Sequence, residues 1–277
     1  MEITERQYRQ LDQPAVTAAL FQPRPDWRPP PADAFEREVE VAPQVVLPLR
    51  FYLGAAQESA VNILFFHGNG EVAADYDEIA AGFNRAGLNL VVAEYRGYGA
   101  AGGRPSVQAM LEDAPRLLAA TRETLDREGK TGYLAVMGRS LGSVPAIELA
   151  VAAAEPPAGL IIESGIARTI PLLLNLGVEP AACGIVSEAD GFCNVQKIAL
   201  VTRPTYILHA QHDQLIPLGL AEALQAHCGA QNKEFQMVPG ADHNSIIATV
   251  GERYYAAIAG FCRKLGQKPR RKKEGVR

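Results

Sequence analysis

The chain has 277 residues, 48 % of them hydrophobic and 21 % charged, with 27 basic and 31 acidic side chains for a formal net charge of −4. That length suits one large domain or two small ones, and the composition excludes disordered and collagen-like classes. A net acidic chain is poorly built to coat nucleic acid, so no specific nucleic-acid partner is expected.

Residues 1–36 read as an N-terminal arm. Met1 to Gln10 is polar, with no apolar stretch behind a basic start, so no signal peptide is expected. No segment approaches 18 uncharged apolar residues, so no membrane span is expected either, and the expected location is cytoplasmic. The proline-rich run Gln22-Pro-Arg-Pro-Asp-Trp-Arg-Pro-Pro-Pro31 favours extended backbone. It reads either as an arm lying over a core, with Trp27 pinning it in a groove, or as a solvated leader.

Residues 37–265 carry a regular alternation. Arg37–Val41 and Val46–Tyr52 are predicted strands, followed by the apolar strand Val61–Phe66, a helix over Ala73–Arg85 and a strand over Leu88–Ala93. A long amphipathic helix is predicted over Ser106–Arg127, with Ser106 as its cap. Then come a strand at Tyr133–Met137, a helix at Leu141–Ala154 and a strand at Leu160–Ile162. The strand Thr205–Leu208, the helix Leu218–His227, the strand Phe235–Val238 and a last helix over Asn244–Leu265 complete the pattern. Short strands without strict alternation are buried on both faces, and their alternation with helices predicts an α/β fold: a mostly parallel central sheet flanked by helices.

The rhythm breaks at about 166–200, where Ile170-Pro-Leu-Leu-Leu-Asn-Leu-Gly177 is apolar and helical after Pro171. A connection this long reads as a short lid, with an ordinary crossover carrying an extra helix as the alternative. Residues 266–277 form a basic tail in which Lys268, Arg270, Arg271, Lys272, Lys273 and Arg277 face one acid, Glu274. It reads as a solvated tail or as a weak contact with an anionic membrane.

The chemistry concentrates in Gly138-Arg139-Ser140-Leu141-Gly142, between the strand Tyr133–Met137 and the helix that follows. A strand that turns at once into a helix strains its apex residue, and flanking glycines leave room for the turn. Ser140 then projects at a helix N-terminus, where free amides and the dipole favour negative charge. A serine needs a base, and the base an orienting acid. Of the five histidines, His243 lies on a turn at a strand's carboxyl end and is the expected base, while His67 is expected to shape its own loop. Asp213, after Thr205–Leu208, is the expected acid; Glu163 is the competitor, and Asp242 is expected to serve its turn. Two backbone N–H groups, those of Leu141 and Asn69, are the expected oxyanion donors. The four cysteines, Cys183, Cys193, Cys228 and Cys262, form no CxxC pair and are expected to be reduced and packed, with no zinc site.

The order Ser140, Asp213, His243 is that of the α/β-hydrolases. Phe65-Phe66-His67-Gly68-Asn69-Gly70, Tyr95-Arg96-Gly97-Tyr98-Gly99, the serine pentapeptide, Ile207-Leu-His-Ala-Gln-His-Asp213 and Pro239-Gly-Ala-Asp-His243 together resemble serine α/β-hydrolases of the Bem46-like group. The resemblance covers about residues 45–265 and departs from the usual pattern at Glu94, where Asp is common. It implies the α/β-hydrolase fold, no metal or organic cofactor, and a small-molecule or acyl-bearing substrate. Carboxylesterase action on small to medium acyl groups is the central expectation. Lysophospholipase, protein-thioesterase or peptidase action on the same triad and a non-catalytic binding scaffold are the alternatives.

Overall fold

Apolar runs of strand length set the centre of the fold. The computed structural model describes residues 8–266. Its strands are β1 (Phe35–Ala42), β2 (Val45–Tyr52), β3 (Val61–Phe66), β4 (Leu88–Ala93), β5 (Leu134–Arg139), β6 (Leu160–Glu163), β7 (Thr205–Ala210) and β8 (Lys233–Val238). They form one sheet in the order β1-β2-β4-β3-β5-β6-β7-β8. β1, β2 and β4 pair antiparallel, and every other neighbouring pair is parallel. This is the α/β architecture expected from the sequence.

Successive side chains of each strand go to opposite faces and feed two cores. Leu64, Phe66, Val136 and Ile162 pack into one apolar cluster, which also takes Leu117 of α3 (Val107–Arg127), Ile147 of α4 (Ser143–Ala152) and Leu224 of α7 (Leu218–His227). Ile63, Phe65, Met137 and Ile161 pack into the other, with Phe83 of α2 (Asp77–Arg85) and Ile258 of α9 (Glu252–Cys262). Where polar residues enter the middle strands they pair: Asn62 and Asn89 face each other across β3 and β4, with Asn89 donating to Asn62 at 2.9 Å.

Several helices begin or break differently from their sequence pattern. The Ser106 hydroxyl does accept the Ala109 N–H at 3.0 Å and caps α3. The helix expected at Ala73–Arg85 opens as a 3-10 turn, Ala73–Tyr76, because the Asp75 carboxylate turns back to the Val72 N–H at 3.1 Å. The last helix is two, α8 (Ile246–Val250) and α9, separated at Gly251, whose φ of 56° lies in the left-handed region.

Residues 8–34 contain a helix, α1 (Pro14–Leu20), that the proline-rich reading did not anticipate. Its Pro14 occupies the first turn, where a missing N–H costs nothing, and Val16 and Leu20 are buried in the first cluster. The Asp12 carboxylate accepts the Val107 and Gln108 N–H groups at 2.6 and 3.1 Å, adding a second cap to α3. Trp27 is 76 % exposed, so the arm is not pinned by its indole. Arg24 and the Gln22 N–H hold it instead.

The insertion folds as α5 (Thr169–Asn175), two 3-10 turns and α6 (Asn194–Ile198). Of its leucine run, Leu172 and Leu173 are buried in the first cluster while Leu174 points outward. Lys197 of α6 is buried between Glu148 at 2.6 Å and the Tyr8 hydroxyl at 2.8 Å. The four cysteines are buried and form no disulfide with one another, and burial pushes the Cys262 thiol up to about 12. The basic tail beyond Gly266 lies outside the described residues. No described helix is long and apolar enough to cross a membrane.

Candidate active site

Three strand ends bring the site together. β5 runs into a 3-10 turn, Ser140–Gly142, and then directly into α4. Ser140 sits at the apex with φ 51°, a left-handed conformation that a non-glycine residue holds only where its surroundings enforce it. Both flanking glycines are required by space. A Cβ at Gly138 would overlap the Gly142 carbonyl, and one at Gly142 would overlap the Phe66 carbonyl of β3. The Ser143 hydroxyl donates to the Ser140 carbonyl at 2.6 Å and accepts the Ile166 N–H at 2.9 Å, tying the apex to the loop after β6.

His243 follows β8 and Asp213 follows β7. The His243 Nε2 lies 3.0 Å from the Ser140 Oγ, and its Nδ1 lies 2.7 Å from an Asp213 carboxylate oxygen. An ionised carboxylate only accepts, so Nδ1 carries the proton and Nε2 offers its lone pair to the serine hydroxyl. The other Asp213 oxygen accepts the Leu215 and Ile216 N–H groups at 3.1 and 2.8 Å. Burial pushes the Asp213 carboxyl up. The His243 and Ile216 hydrogen bonds outweigh burial and hold the group below the usual carboxylate value. The buried His209 donates from Nε2 to the Ile216 carbonyl at 2.7 Å, 3.5 Å from Asp213, and burial holds its imidazole below its ordinary pKa and so neutral.

The loop after β3 carries the other residues named from the sequence. Asn69 is held through its side chain: its carbonyl oxygen accepts the Tyr98 hydroxyl and the Gln22 N–H of the arm, both at 2.7 Å. Arg24 of the arm donates to the Gly70 carbonyl at 2.9 Å and to Asp75. The arm thus bears on the loop that carries one expected oxyanion donor. Leu141 is buried beside Ser140 at the start of the turn.

His67 shapes its loop from a fully buried position. Its Nδ1 is 2.8 Å from the Gly68 carbonyl and its Nε2 is 3.1 Å from Glu94, so both nitrogens face acceptors, an arrangement that favours the imidazolium. Burial opposes that charge, but the Glu94 carboxylate reverses the sign and raises the His67 pKa. The other Glu94 oxygen accepts the Ala73 N–H at 2.6 Å. Asp242 serves its turn, accepting the Asn244 N–H at 3.0 Å. Glu163 does not reach His243. It is buried, accepts the Tyr254 hydroxyl and pairs with Arg139 Nε at 3.2 Å; burial raises its pKa.

Sequence reasoning missed Arg139 and Glu71. Arg139 donates to the His243 carbonyl and the Asn244 side chain, both at 2.9 Å, and pairs with Glu71. The second Glu71 oxygen accepts the Gly68 N–H at 2.7 Å and the Tyr76 hydroxyl at 2.6 Å. The only signal in the sequence was an arginine inside the serine pentapeptide and a glutamate just after Gly70. Among the described residues no group of three or more His, Cys, Asp and Glu side chains is arranged to hold a metal ion.

Comparison with known proteins agrees with this architecture. Residues 57–180 match the family described as "Serine aminopeptidase, S33". An uncharacterized protein of Mycobacterium tuberculosis is 30 % identical over 203 residues, spanning 72 % of this chain and 68 % of that protein. Human alpha/beta hydrolase domain-containing protein 17B is 29 % identical over 201 residues, spanning 70 % of this chain and 64 % of its own length. Among solved structures, a Pyrococcus furiosus esterase superposes with a TM-score of 0.71 at 16 % identity, covering 88 % of this chain and 99 % of the esterase. A soluble variant of Saccharomyces cerevisiae monoglyceride lipase does so with a TM-score of 0.66 at 15 % identity, covering 86 % and 97 %. With the mostly parallel sheet, the strained serine between β5 and α4 and these relatives in view, the chain belongs to the serine α/β-hydrolase superfamily.

Proposed function

We propose that the protein hydrolyses carboxylic esters of small to medium acyl groups through a Ser140–His243–Asp213 triad and an acyl-enzyme. The observation that carries this reading is the single imidazole that bridges Ser140 Oγ at 3.0 Å and Asp213 at 2.7 Å. Ser140 Oγ attacks the ester carbonyl while His243 Nε2 takes its proton. Asp213 holds the ring and stabilises the imidazolium. The Leu141 and Asn69 N–H groups receive the oxyanion. The intermediate collapses with loss of the alcohol, which leaves with the proton from Nε2. Water, deprotonated by the same nitrogen, then attacks the acyl-enzyme, releases the acid and restores Ser140.

The test is labelling with a fluorescent fluorophosphonate, followed by turnover of p-nitrophenyl esters of increasing chain length, for wild type and Ser140→Ala. Wild type is expected to label and turn over, with an optimum at short to medium chains. Ser140→Ala is expected to lose labelling and about 10⁶-fold in kcat. A well-folded wild type that neither labels nor turns over any ester would sink the reading in favour of a binding scaffold.

A further inference from the structure

The geometry points to Arg139 as a positioning residue that sets His243 and the loop after β3 in register with Ser140, using Glu71 and Glu163 as counter-charges. This inference rests on the acyl-transfer reading above and assigns a role that the triad alone does not require.

Its guanidinium reaches three segments at once. Arg139 is bonded along the chain to Ser140, so its own backbone moves with the nucleophile. One terminal nitrogen donates to the His243 carbonyl and the Asn244 side chain, both at 2.9 Å. That fixes the main chain of the base rather than its ring, leaving the ring free to make the Ser140 and Asp213 contacts. The other terminal nitrogen pairs with Glu71, whose second oxygen takes the Gly68 N–H at 2.7 Å, one residue before Asn69. The third nitrogen, Nε, meets Glu163 at 3.2 Å at the end of β6. A planar fork with five donors can serve all these acceptors; an ammonium cannot.

Charges, not packing, hold this group. The Arg139 side chain is 13 % exposed and the Glu163 side chain 3 %, so their attraction is little screened. Yet the cluster borders a cavity of about 370 Å³ that Phe65, Tyr76, Ile79 and Ile247 also line, so no close-packed wall fixes its orientation. The bond from Tyr254 to Glu163 and the bond from Tyr76 to Glu71 orient the two carboxylates. Loss of the fork releases the His243 main chain and the Gly68 amide together. A displacement near 1 Å in a catalytic group typically costs about 10²-fold in rate.

The experiment compares Arg139→Lys and Glu71→Gln with wild type on one p-nitrophenyl ester, after Ser140→Ala has decided whether wild-type turnover belongs to the serine. Arg139→Lys keeps the charge but not the fork, and is expected to lower kcat about 100-fold with KM within about twofold. Glu71→Gln keeps the shape but loses the charge and one of the two accepting oxygens, so it cannot accept from Arg139 and Gly68 on separate oxygens, and it is expected to lower kcat about tenfold, again with little change in KM. The double variant is expected to fall well short of the product of the two losses, because both act through one link. A merely structural role would lower the melting temperature and leave kcat of the folded fraction unchanged. A folded Arg139→Lys or Glu71→Gln with wild-type kcat would overturn the positioning role and leave the hydrolase reading intact. If Arg139→Lys does not fold, the Glu71→Gln result decides. Absence of wild-type turnover and labelling would remove the hydrolase reading first, before any Arg139 variant is compared.

Discussion

At the scale of single residues, the site is defined by which groups face donors only and which face acceptors only. Asp213 spends one oxygen on two main-chain amides and leaves the other for His243. His67 is the opposite case, a buried ring with a carbonyl and a carboxylate on its two nitrogens. Its raised pKa gives a signed prediction. A histidine raised on folding contributes stability that is fully present below its unfolded value, about 6.5, and is lost as pH rises through the raised folded value. Glu94→Gln removes the counter-charge and leaves burial to oppose the imidazolium. The variant is therefore expected to melt roughly 5 °C or more below wild type near pH 6, with the gap narrowing on the alkaline side. Melting curves from pH 6 to 9 for both proteins measure this, and a gap that widens with pH would refute the charged pair. Ser140, Asp213 and His243 could be named from sequence because each sits in a short pattern after an apolar run. Arg139 and Glu71 could not, because their partners are 104 and 68 residues away in the chain, a separation no local pattern encodes.

At the scale of elements, the apolar strands were legible because burial on both faces leaves a near-continuous hydrophobic run, as in the fully buried β4, where Asn89 is the one polar residue. Helix ends were less so. The breaks at Tyr76 and Gly251 depend on a side-chain cap and a left-handed glycine, neither of which alters the hydrophobic period. α1 was missed because it is seven residues long and draws its stability from burying Val16 and Leu20 rather than from propensity. The turn between β5 and α4 was legible because its glycines are sterically obligatory. Gly142 passes so close to β3 that any Cβ meets the Phe66 carbonyl, a main-chain atom with no freedom to swing aside. Gly142→Ala is expected to cost about 3 kcal/mol in urea unfolding, from overpacking against backbone. It is also expected to abolish phosphonate labelling, because relief requires the turn carrying Ser140 to move. Wild-type stability together with wild-type labelling in Gly142→Ala would contradict this account of the elbow.

At the scale of the whole molecule, the arm joins regions that the sheet alone leaves separate. Tyr8 meets Lys197 of the insertion, and Gln13 donates to the Cys183 carbonyl there at 2.6 Å. Asp12 caps α3, and Gln22 and Arg24 hold Asn69 and Gly70. Farther along, the Gly99 N–H donates to the Arg24 carbonyl at 3.0 Å and the Asp26 N–H to the Gly99 carbonyl at 3.2 Å, a short parallel bridge. Composition marked these residues only as proline-rich, and the sequence left an arm over the core and a solvated leader equally open. The arm's polar side chains meet partners far off in the chain, and Gln22, Arg24 and Asp26 also anchor it through main-chain atoms, which leave no trace in residue type. Val16 and Leu20 tie the helical part of the arm to the core, but residues 22–28 are held by polar contacts, so that end is expected to open locally rather than with the core. Arg24→Ala removes the side-chain bonds to Gly70 and Asp75, which sit on a half-exposed arginine worth at most ~1 kcal/mol. Hydrogen exchange at the Gln22 and Gly99 amides should then speed up about fivefold, while amides of β3 and β5 keep their protection. Equal acceleration in the core strands would mean that the arm opens only when the whole domain unfolds. No acceleration at Gln22 or Gly99 would mean that Tyr98 and Asn69 hold the arm without the arginine.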